Sequence, residues 1–299
     1  MGGLALKVAN ENYKTNIKKR LKKEERKLFL RRLLGNKLMI IGGSIMVFLV
    51  LVTFVGPFLM HYTPYEMVVD DRLKSLSSTH LLGTDQYGRD LLTRIVYGAQ
   101  STMWVGLAVT TISSILGMFI GLYASYYKTL DHILMRICDG LMAIPAILFA
   151  IALMSALGPN TTNVIIALSI VFTPHIARVI RSSAIVVREQ TYIEAMKAQG
   201  ASSWRIIWGH IMPNTISPLV IQSTFIFADS IITEAALSFL GAGVPAPKPS
   251  WGNILYDGGQ VIFSAWWMVL FPGIMIVLAI LGLNLLGDGL RDLLDPNIK

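Results

Sequence analysis

Residues 188–217 carry the most chemically suggestive pattern in the sequence, REQTYIEAMKAQGASSWRIIWGHIMPNTIS. Residues 192–199 can form a helix, and Gly200 suits its end because a left-handed backbone costs glycine little. A serine pair can then cap a second short helix, which Pro213 is expected to end. Helices that expose Ala, Trp and Ile need a partner that buries them, so the pattern predicts protein docking; a helix pair lying on the lipid surface is the alternative.

Single polar groups also stand within apolar stretches of the sequence. Charge at membrane depth is costly, so a solute path or a partner normally surrounds it. Arg136 and Asp139 are three residues apart and can pair on one helical face, most simply at the cytoplasmic edge. For Asp229 and Glu234, lining of a translocation path and packing between subunits are equal alternatives. Asn284 is a third candidate for the path.

Several catalytic motifs are missing from the sequence. It contains no G-x-x-x-x-G-K-[ST] and no H-E-x-x-H, and GAGVPA at 241–246 lacks the third glycine of a dinucleotide fingerprint. The five histidines are scattered, and the single Cys138 excludes an internal disulfide framework. We therefore assign no catalytic residue, no metal ligand and no cofactor to this chain, and any energy for its activity must come from elsewhere.

The composition of the chain is that of an integral membrane protein. Of 299 residues, 54% are hydrophobic and 15% are charged, whereas a soluble domain has about 25% charged residues. Residues 1–37 hold twelve of the 26 Lys and Arg but three of the 18 acidic residues. The basic charge therefore predicts contact with anionic lipid and not with nucleic acid. We expect an interfacial helix over residues 24–35, with a disordered basic tail as the alternative.

Six apolar stretches are long enough to cross a membrane. The clearest is 38–60, and a Gly-Pro-Asn turn at 158–160 separates two of the others. The segments between spans carry 21 Lys and Arg on one side and five on the other. By the positive-inside rule, both termini are cytoplasmic. The predicted fold is all-α with six transmembrane helices, the later ones near 101–126, 133–157, 163–185, 218–240 and 264–286.

The extracytoplasmic loop 61–100 is long for a connection and is expected to have structure of its own. Thr84 or Asp85 can cap an amphipathic helix that leads into the second span. Within that span, Gly117 and Gly121 form a G-x-x-x-G pattern, which permits close helix contact.

Segment 188–217 resembles the EAA loop of the permease subunits of ABC importers. The match comprises Glu194-Ala195-Met196, Gly200 and Ile211-Met212-Pro213, with Met196 and Met212 replacing the Ala and Leu of the motif. Ten residues separate Gly200 from Ile211, where the motif has nine. Longer stretches resemble the C-type permease of dipeptide, oligopeptide and nickel importers: HLLGTDQYGRDLLTRIVYGAQ (80–100), ALSFLGAGVPAPKPSWG (236–252), SAWWMVLFPG (264–273) and NLLGDGLRDLLDP (284–296).

The resemblance implies a type I importer permease fold over residues 101–299, in the inner membrane of a prokaryote. It implies a second permease, two cytosolic ATPases that bind ATP and Mg²⁺, and an external binding protein that delivers peptides, related small solutes, or nickel and its chelates. A self-sufficient secondary transporter or channel is the alternative, although no repeat relates spans 1–3 to spans 4–6. The residues expected to couple the permease to the ATPases are Glu194, Ala195, Met196, Ala198, Gly200, Ala201, Trp204, Ile211 and Pro213.

Overall fold

The structure is a computed structural model that describes residue 24 and residues 33–294. Within these ranges the regular secondary structure is helical, apart from an isolated bridge between Thr84 and Asp90. The predicted all-α fold is therefore confirmed. The predicted interfacial helix at 24–35 lies mostly outside the described residues; of it, residue 24 and residues 33–35 are described and are helical.

The first half of the chain forms a long central helix with shorter helices on either side. Asn36 caps the first helix by accepting the Met39 N–H at 3.1 Å. A single 3₁₀ turn, Val69–Asp71, lies in the outer loop. The helices are α1 (Lys37–Phe54), α2 (Gly56–Leu59), α3 (Leu91–Tyr126), α4 (Lys128–Met142), α5 (Ala146–Leu157) and α6 (Thr161–Arg188).

The second half contains the docking segment and two more long helices. A π-helical turn, Ile207–Ile211, joins the short helix α8 to α9 without a break, so Ser203–Phe239 runs as one helix of 37 residues. The helices are α7 (Thr191–Ala198), α8 (Ser203–Ile206), α9 (Met212–Phe239), α10 (Trp251–Gln260) and α11 (Trp267–Leu294).

Five of the described helices are long and apolar enough to cross a membrane: α1, α3, α6, the joined α8–α9, and α11. A sixth span is formed if α4 and α5 count together, but these two helices meet at 92°. The span predicted near 133–157 is therefore a bent pair of helices and not one continuous helix. Pro145 is the N-cap of α5 and lies at the bend. The helical conformation is disfavoured for a residue that precedes proline, which here is Ile144. The side of the membrane with most of the Lys and Arg residues is called cytoplasmic, and the opposite side is called outer.

The predicted amphipathic helix of the outer loop is the first part of α3. This helix has 36 residues and is therefore about 54 Å long, longer than the apolar core of a bilayer is thick. Its cap is Asp90, whose carboxylate accepts the Thr93 N–H at 2.8 Å, so the predicted caps Thr84 and Asp85 are wrong. The Asp85 carboxylate instead accepts N–H groups within the turn before the helix.

Helices pack closely where glycines remove side chains from the interface. A Cβ on Gly117 would lie 2.7 Å from the Ile176 Cβ, and one on Gly121 would lie 2.6 Å from the Ala177 carbonyl oxygen. The G-x-x-x-G pattern therefore seats α3 against α6 inside this chain. Gly42 does the same for α1 and α11, because a Cβ there would lie 2.6 Å from the Leu286 nitrogen.

Two apolar clusters hold the bundle together. One joins α3, α5 and α6 to the segment from α7 to the π turn, and Ile193 and Ile206 belong to it. The other joins α1, α3, α9 and α11 to the short helix α10, with Trp251 at its centre. The docking segment and the outer loop are thus each continuous with a hydrophobic core.

Candidate coupling surface and solute path

Helix α7 is seated on the cytoplasmic end of the bundle through one face. Its Ile193 side chain is fully buried, whereas Glu194, Ala195 and Ala198 are exposed. Just before α7, the Arg188 guanidinium at the end of α6 donates to the Ser125 carbonyl near the end of α3. The helix therefore presents one small, polar face outward while its other face is fixed.

Gly200 ends α7 in the way that the sequence predicts. Its φ is +78°, and no atom lies within 4 Å of a Cβ built there. The Gly200 N–H donates to the Lys197 carbonyl at 3.0 Å, and the Ala201 N–H donates to the Met196 carbonyl at 3.0 Å. This pair of bonds is the Schellman motif, which satisfies the last carbonyls of a helix. Because Met196 and Ala201 also pack against the core, the turn is fixed on its inner side.

The second half of the docking segment is helical, but it does not end at Pro213. Ser202 caps α8, as predicted, by accepting the Arg205 N–H at 3.4 Å. The helix then continues through the π turn into α9, and Pro213 occupies its first turn. The predicted break is wrong because the π turn before Pro213 changes the hydrogen-bond spacing, so the helix continues although proline has no N–H to donate.

The predicted coupling residues divide by exposure. Ile211 is fully buried, so it supports the segment from below and offers nothing to a partner. Met196 and Ala201 are half-buried because they pack against the core. The outward surface, which we call the coupling surface, consists of the exposed members of the predicted set: Glu194, Ala195, Ala198, Gly200, Trp204 and Pro213.

An aromatic row supports this surface. The rings of Trp204 and Trp208 lie 5.4 Å apart, and Trp208 lies 5.0 Å from Phe119 on α3. Trp204 is 64% and Phe119 43% exposed, so the row lies along the outer face of the bundle, with the half-buried Trp208 between them. The rings are tilted against one another, as aromatic pairs commonly are. The row thus links α8 and the π turn to α3.

The three candidate path residues lie in different environments. Asp229 is exposed on α9, and Asn284 is half-buried on α11. Glu234 has no exposed surface at all. Its two carboxylate oxygens accept the Thr102 hydroxyl at 3.0 Å and the Ser238 hydroxyl at 2.7 Å. Glu234 thus lies inside the subunit, and neither the path-lining nor the inter-subunit reading describes its position.

Glu234 is the centre of a polar node that joins three elements. Thr102 also accepts the Trp251 N–H at 3.3 Å, and Ser238 also accepts the Val244 N–H at 3.0 Å. The node therefore fastens the loop between α9 and α10 to α3. A buried acid is retained only where hydrogen bonds satisfy it, which is the case here.

The predicted pair Arg136–Asp139 does not form. The Asp139 carboxylate instead forms an ion pair with the Arg178 guanidinium at 2.7 Å, and the Asp131 carboxylate forms one with Arg181 at 2.5 Å. Both bridges join α4 to α6, so tertiary partners replace the local one. They hold the amphipathic helix α4 across the cytoplasmic half of α6.

Sequence reasoning missed a buried ion network on the outer side. The Arg89 guanidinium contacts Asp85 at 2.6 Å and Asp257 at 3.4 Å, and the Arg94 guanidinium contacts the same two acids at 3.4 and 3.8 Å. Asp85, Arg89 and Arg94 are nearly inaccessible to solvent. Burial raises the pKa of Asp257 above its usual range, although both arginines oppose that shift. The network ties the outer loop to α10.

Two tryptophans complete this outer assembly. The Trp267 indole N–H donates to the Thr84 carbonyl at 3.1 Å, and the Trp251 indole N–H donates to the Ile95 carbonyl at 3.0 Å. We call residues 61–90 together with α10 the outer cap. The dense charge in HLLGTDQYGRD was its only sequence signal, since the partner Asp257 is more than 160 residues away. Within the described residues, no group of three metal-ligating side chains occurs.

A bundle of apolar helices with an outward coupling surface and a polar outer cap defines a multi-pass membrane permease. The model of the binding-protein-dependent transport system inner membrane component family matches residues 88–299. A second model, the N-terminal TM domain of oligopeptide transport permease C, matches residues 26–77. The chain therefore belongs to the family of binding-protein-dependent transport system inner membrane components. It is a permease subunit of an ABC importer, and the second match identifies it as a C-type permease.

Known proteins agree over most of the length. The chain is 45% identical over 270 residues to the dipeptide transport system permease protein of Alkalihalophilus pseudofirmus, covering 90% of this chain and 89% of that one. It is 38% identical over 273 residues to the glutathione transport system permease protein of Pectobacterium atrosepticum, covering 91% of each. An inward-facing structure of the MetNI methionine ABC transporter has a similar fold, with a TM-score of 0.52 and 21% identity, covering 64% of this chain and 94% of that one.

Proposed function

We propose that this permease imports peptides or closely related small solutes as one of two unlike permeases, energised by two separate cytosolic ATPases and supplied by an external binding protein. The observation that carries the proposal is the geometry of α7. One face is anchored by Ile193, the end is fixed by the Schellman motif at Gly200, and the opposite face is left exposed. A short helix held in this way moves as a rigid body and can transmit a displacement.

Family membership supports the proposed division of labour. A binding-protein-dependent system needs an external protein for its solute, and the sequence has no phosphate-binding loop with which to use ATP. The self-sufficient transporter is therefore the weaker alternative. Relatives named for dipeptides and glutathione favour peptide-like cargo over nickel or its chelates.

The solute path is proposed to pass the exposed side of Asp229. Asp229 lies ten residues from the outer end of α9 and 17 from its inner end, so about 15 Å of helix separates it from the nearer end. An exposed carboxylate at that depth needs water or protein around it. Asn284 is half-buried on α11 and is proposed as a second polar contact on the path.

Coupling is tested by pull-down of the ATPases with Gly200→Val and Glu194→Lys, beside substrate-stimulated ATP hydrolysis in the reconstituted complex. A β-branched residue is strained at a φ of +78°, and the lysine reverses the charge of the exposed face. We expect both variants to assemble with the second permease but to lose ATPase docking and uptake.

Gly241→Val is the matched control for strain. Gly241 has a φ of +79°, open space around its Cβ, and the same Schellman bonds at the outer end of α9. It should retain ATPase docking. Wild-type docking and stimulated hydrolysis in both coupling variants would show that α7 is only a membrane-surface element.

A further inference from the structure

A cavity of about 470 Å³ opens between α1, α3 and α9 in the outer half of the bundle. Its volume lies within the range of sites that bind small molecules. Most of its lining is apolar and includes Met46, Val50, Trp104, Leu107 and Phe227, and Lys248 lies at its rim.

The lining of the cavity is mostly apolar, and its few polar side chains lie toward its outer end. Helix α1 runs outward and α3 runs inward, so Thr53 and Gln100 mark the outer end, where the Gln100 amide donates to the Thr53 carbonyl at 3.1 Å. Met46 and Leu107 mark the inner end. Seven residues of α3 separate Gln100 from Leu107, which corresponds to about 10 Å of depth. An occupant of this cavity must therefore have a polar end outward and an apolar end inward.

Lys248 supplies a cation at the outer rim. Its side chain is exposed, and in the part of the chain that the structure describes no carboxylate lies within 4.0 Å of its ammonium group. The backbone beneath it is fixed, because the Asn253 amide donates to the Lys248 carbonyl at 2.6 Å and Asn253 shares a capping box with Ser250. The polar end of the occupant is thus expected to be an anion.

The cavity opens toward lipid and not toward the solute path. Phe227 borders the cavity from α9, and Asp229, two residues further on, is turned about 200° away from it around the helix. Because a carboxylate at the depth of Asp229 cannot face lipid, the face of α9 that carries Phe227 is the face that can lie against lipid. Val50, at 43%, and Trp104, at 62%, are exposed at the mouth, as expected for residues that border hydrocarbon.

We propose that this cavity binds an anionic phospholipid of the outer leaflet, with its phosphate at Lys248 and one acyl chain along Met46, Val50 and Leu107. The lipid would fill the gap between α1 and α3 and so help to fix α1 on the bundle. The inference depends on the membrane-spanning fold alone and stands whichever solute the permease carries.

The test uses the full-length permease in its purified complex, stripped of lipid and offered phosphatidylglycerol or phosphatidylcholine with identical acyl chains. Native mass spectrometry counts the retained lipid. We expect wild type to retain phosphatidylglycerol preferentially and Lys248→Glu to lower that preference by more than about fivefold, because loss of one near-surface cation accounts for about fivefold and the added anion repels the headgroup. Lys74→Glu makes the same charge change on the outer side, away from the cavity, and should keep the preference.

A second pair of variants tests the acyl-chain part of the site. Leu107→Trp should fill the cavity and reduce retention of both lipids, whereas Leu116→Trp, at a similarly exposed position further along α3, should not. Inorganic phosphate alone should not displace the lipid, because it has no chain to place in the cavity. Equal retention of the two lipids by wild type, or identical behaviour of Lys248→Glu and Lys74→Glu, would overturn the proposal, as would displacement by free peptide.

Discussion

The outer cap and the coupling surface are each continuous with one of the two apolar clusters, but different forces hold them. The cap is fixed by buried charges: Asp85, Arg89 and Arg94 are nearly inaccessible and meet Asp257 from another part of the chain. The coupling segment is fixed by buried isoleucines and a backbone turn, and its charged side chain Glu194 is left exposed. Directional buried bonds suit a part that keeps its shape. Apolar seating with free charges suits a part that is proposed to engage a partner.

The largest effect is expected from breaking the cap network with Arg89→Ala. The change leaves Asp85 buried without its closest partner, which typically costs about 3–5 kcal/mol. Thermal unfolding of the purified permease should therefore occur at a clearly lower temperature. Arg72→Ala is the control, because Arg72 is exposed and contacts only the Gln86 carbonyl at its side chain among the described residues. Equal stability of the two variants would mean that the cap does not depend on its ions.

A smaller and more local effect is expected from Ile193→Ala under the coupling surface. Removing a fully buried isoleucine side chain costs on the order of 2 kcal/mol or more, and here the loss falls on a single short helix. Hydrogen exchange should accelerate in α7 and hardly at all in the outer cap. Tyr192→Ala, on the exposed side of the same helix, should leave exchange near wild type. Uniform acceleration across the protein would show that the two regions are not separate units.

The comparison of the two regions is tested further by removing one helix N-cap serine from each. Ser250→Ala removes the N-cap of α10 and Ser202→Ala removes that of α8, and each substitution is expected to cost about 1 kcal/mol. Ser250 is fully buried and shares a reciprocal bond with Asn253, whereas Ser202 is exposed and its bond is 3.4 Å long. Ser250→Ala should therefore lower the unfolding temperature more. If Ser202→Ala lowered the unfolding temperature more than Ser250→Ala, the outer cap would not be the more firmly held region.

The smallest expected effect concerns pH and Asp257. Because burial raises the pKa of this carboxyl in the folded state, its protonated form is favoured on folding. Its contribution to stability is therefore greatest at low pH and is lost as pH rises through the folded pKa. Relative to Asp257→Asn, wild type should gain stability as the pH falls, measured as the difference between the two unfolding temperatures across the acid range. If the difference between the two unfolding temperatures stayed constant with pH, protonation of Asp257 would not contribute to stability.

Local signals in the sequence predicted the docking segment well. The exposure expected for the isoleucines is wrong, since Ile207 and Ile211 are buried, but Gly200 has the left-handed backbone and Ser202 is the cap, as predicted. These features depend on neighbours within about six residues, and such neighbours are visible in a sequence. Pro213 was misjudged because its effect depends on the π turn before it, a backbone geometry with no fixed residue signature.

The sequence by itself determined the membrane class, the apolar stretches, the sided charge and the end of α7, because hydrophobicity, charge and glycine conformation act locally. Only the tertiary structure decided the partners of the buried charges. Arg178 replaced Arg136 beside Asp139, Asp257 joined Arg89 across the chain, and Glu234 turned inward to two hydroxyls. A buried charge pairs with whatever group the packing of distant helices brings within about 4 Å, and sequence separation carries no information about that distance.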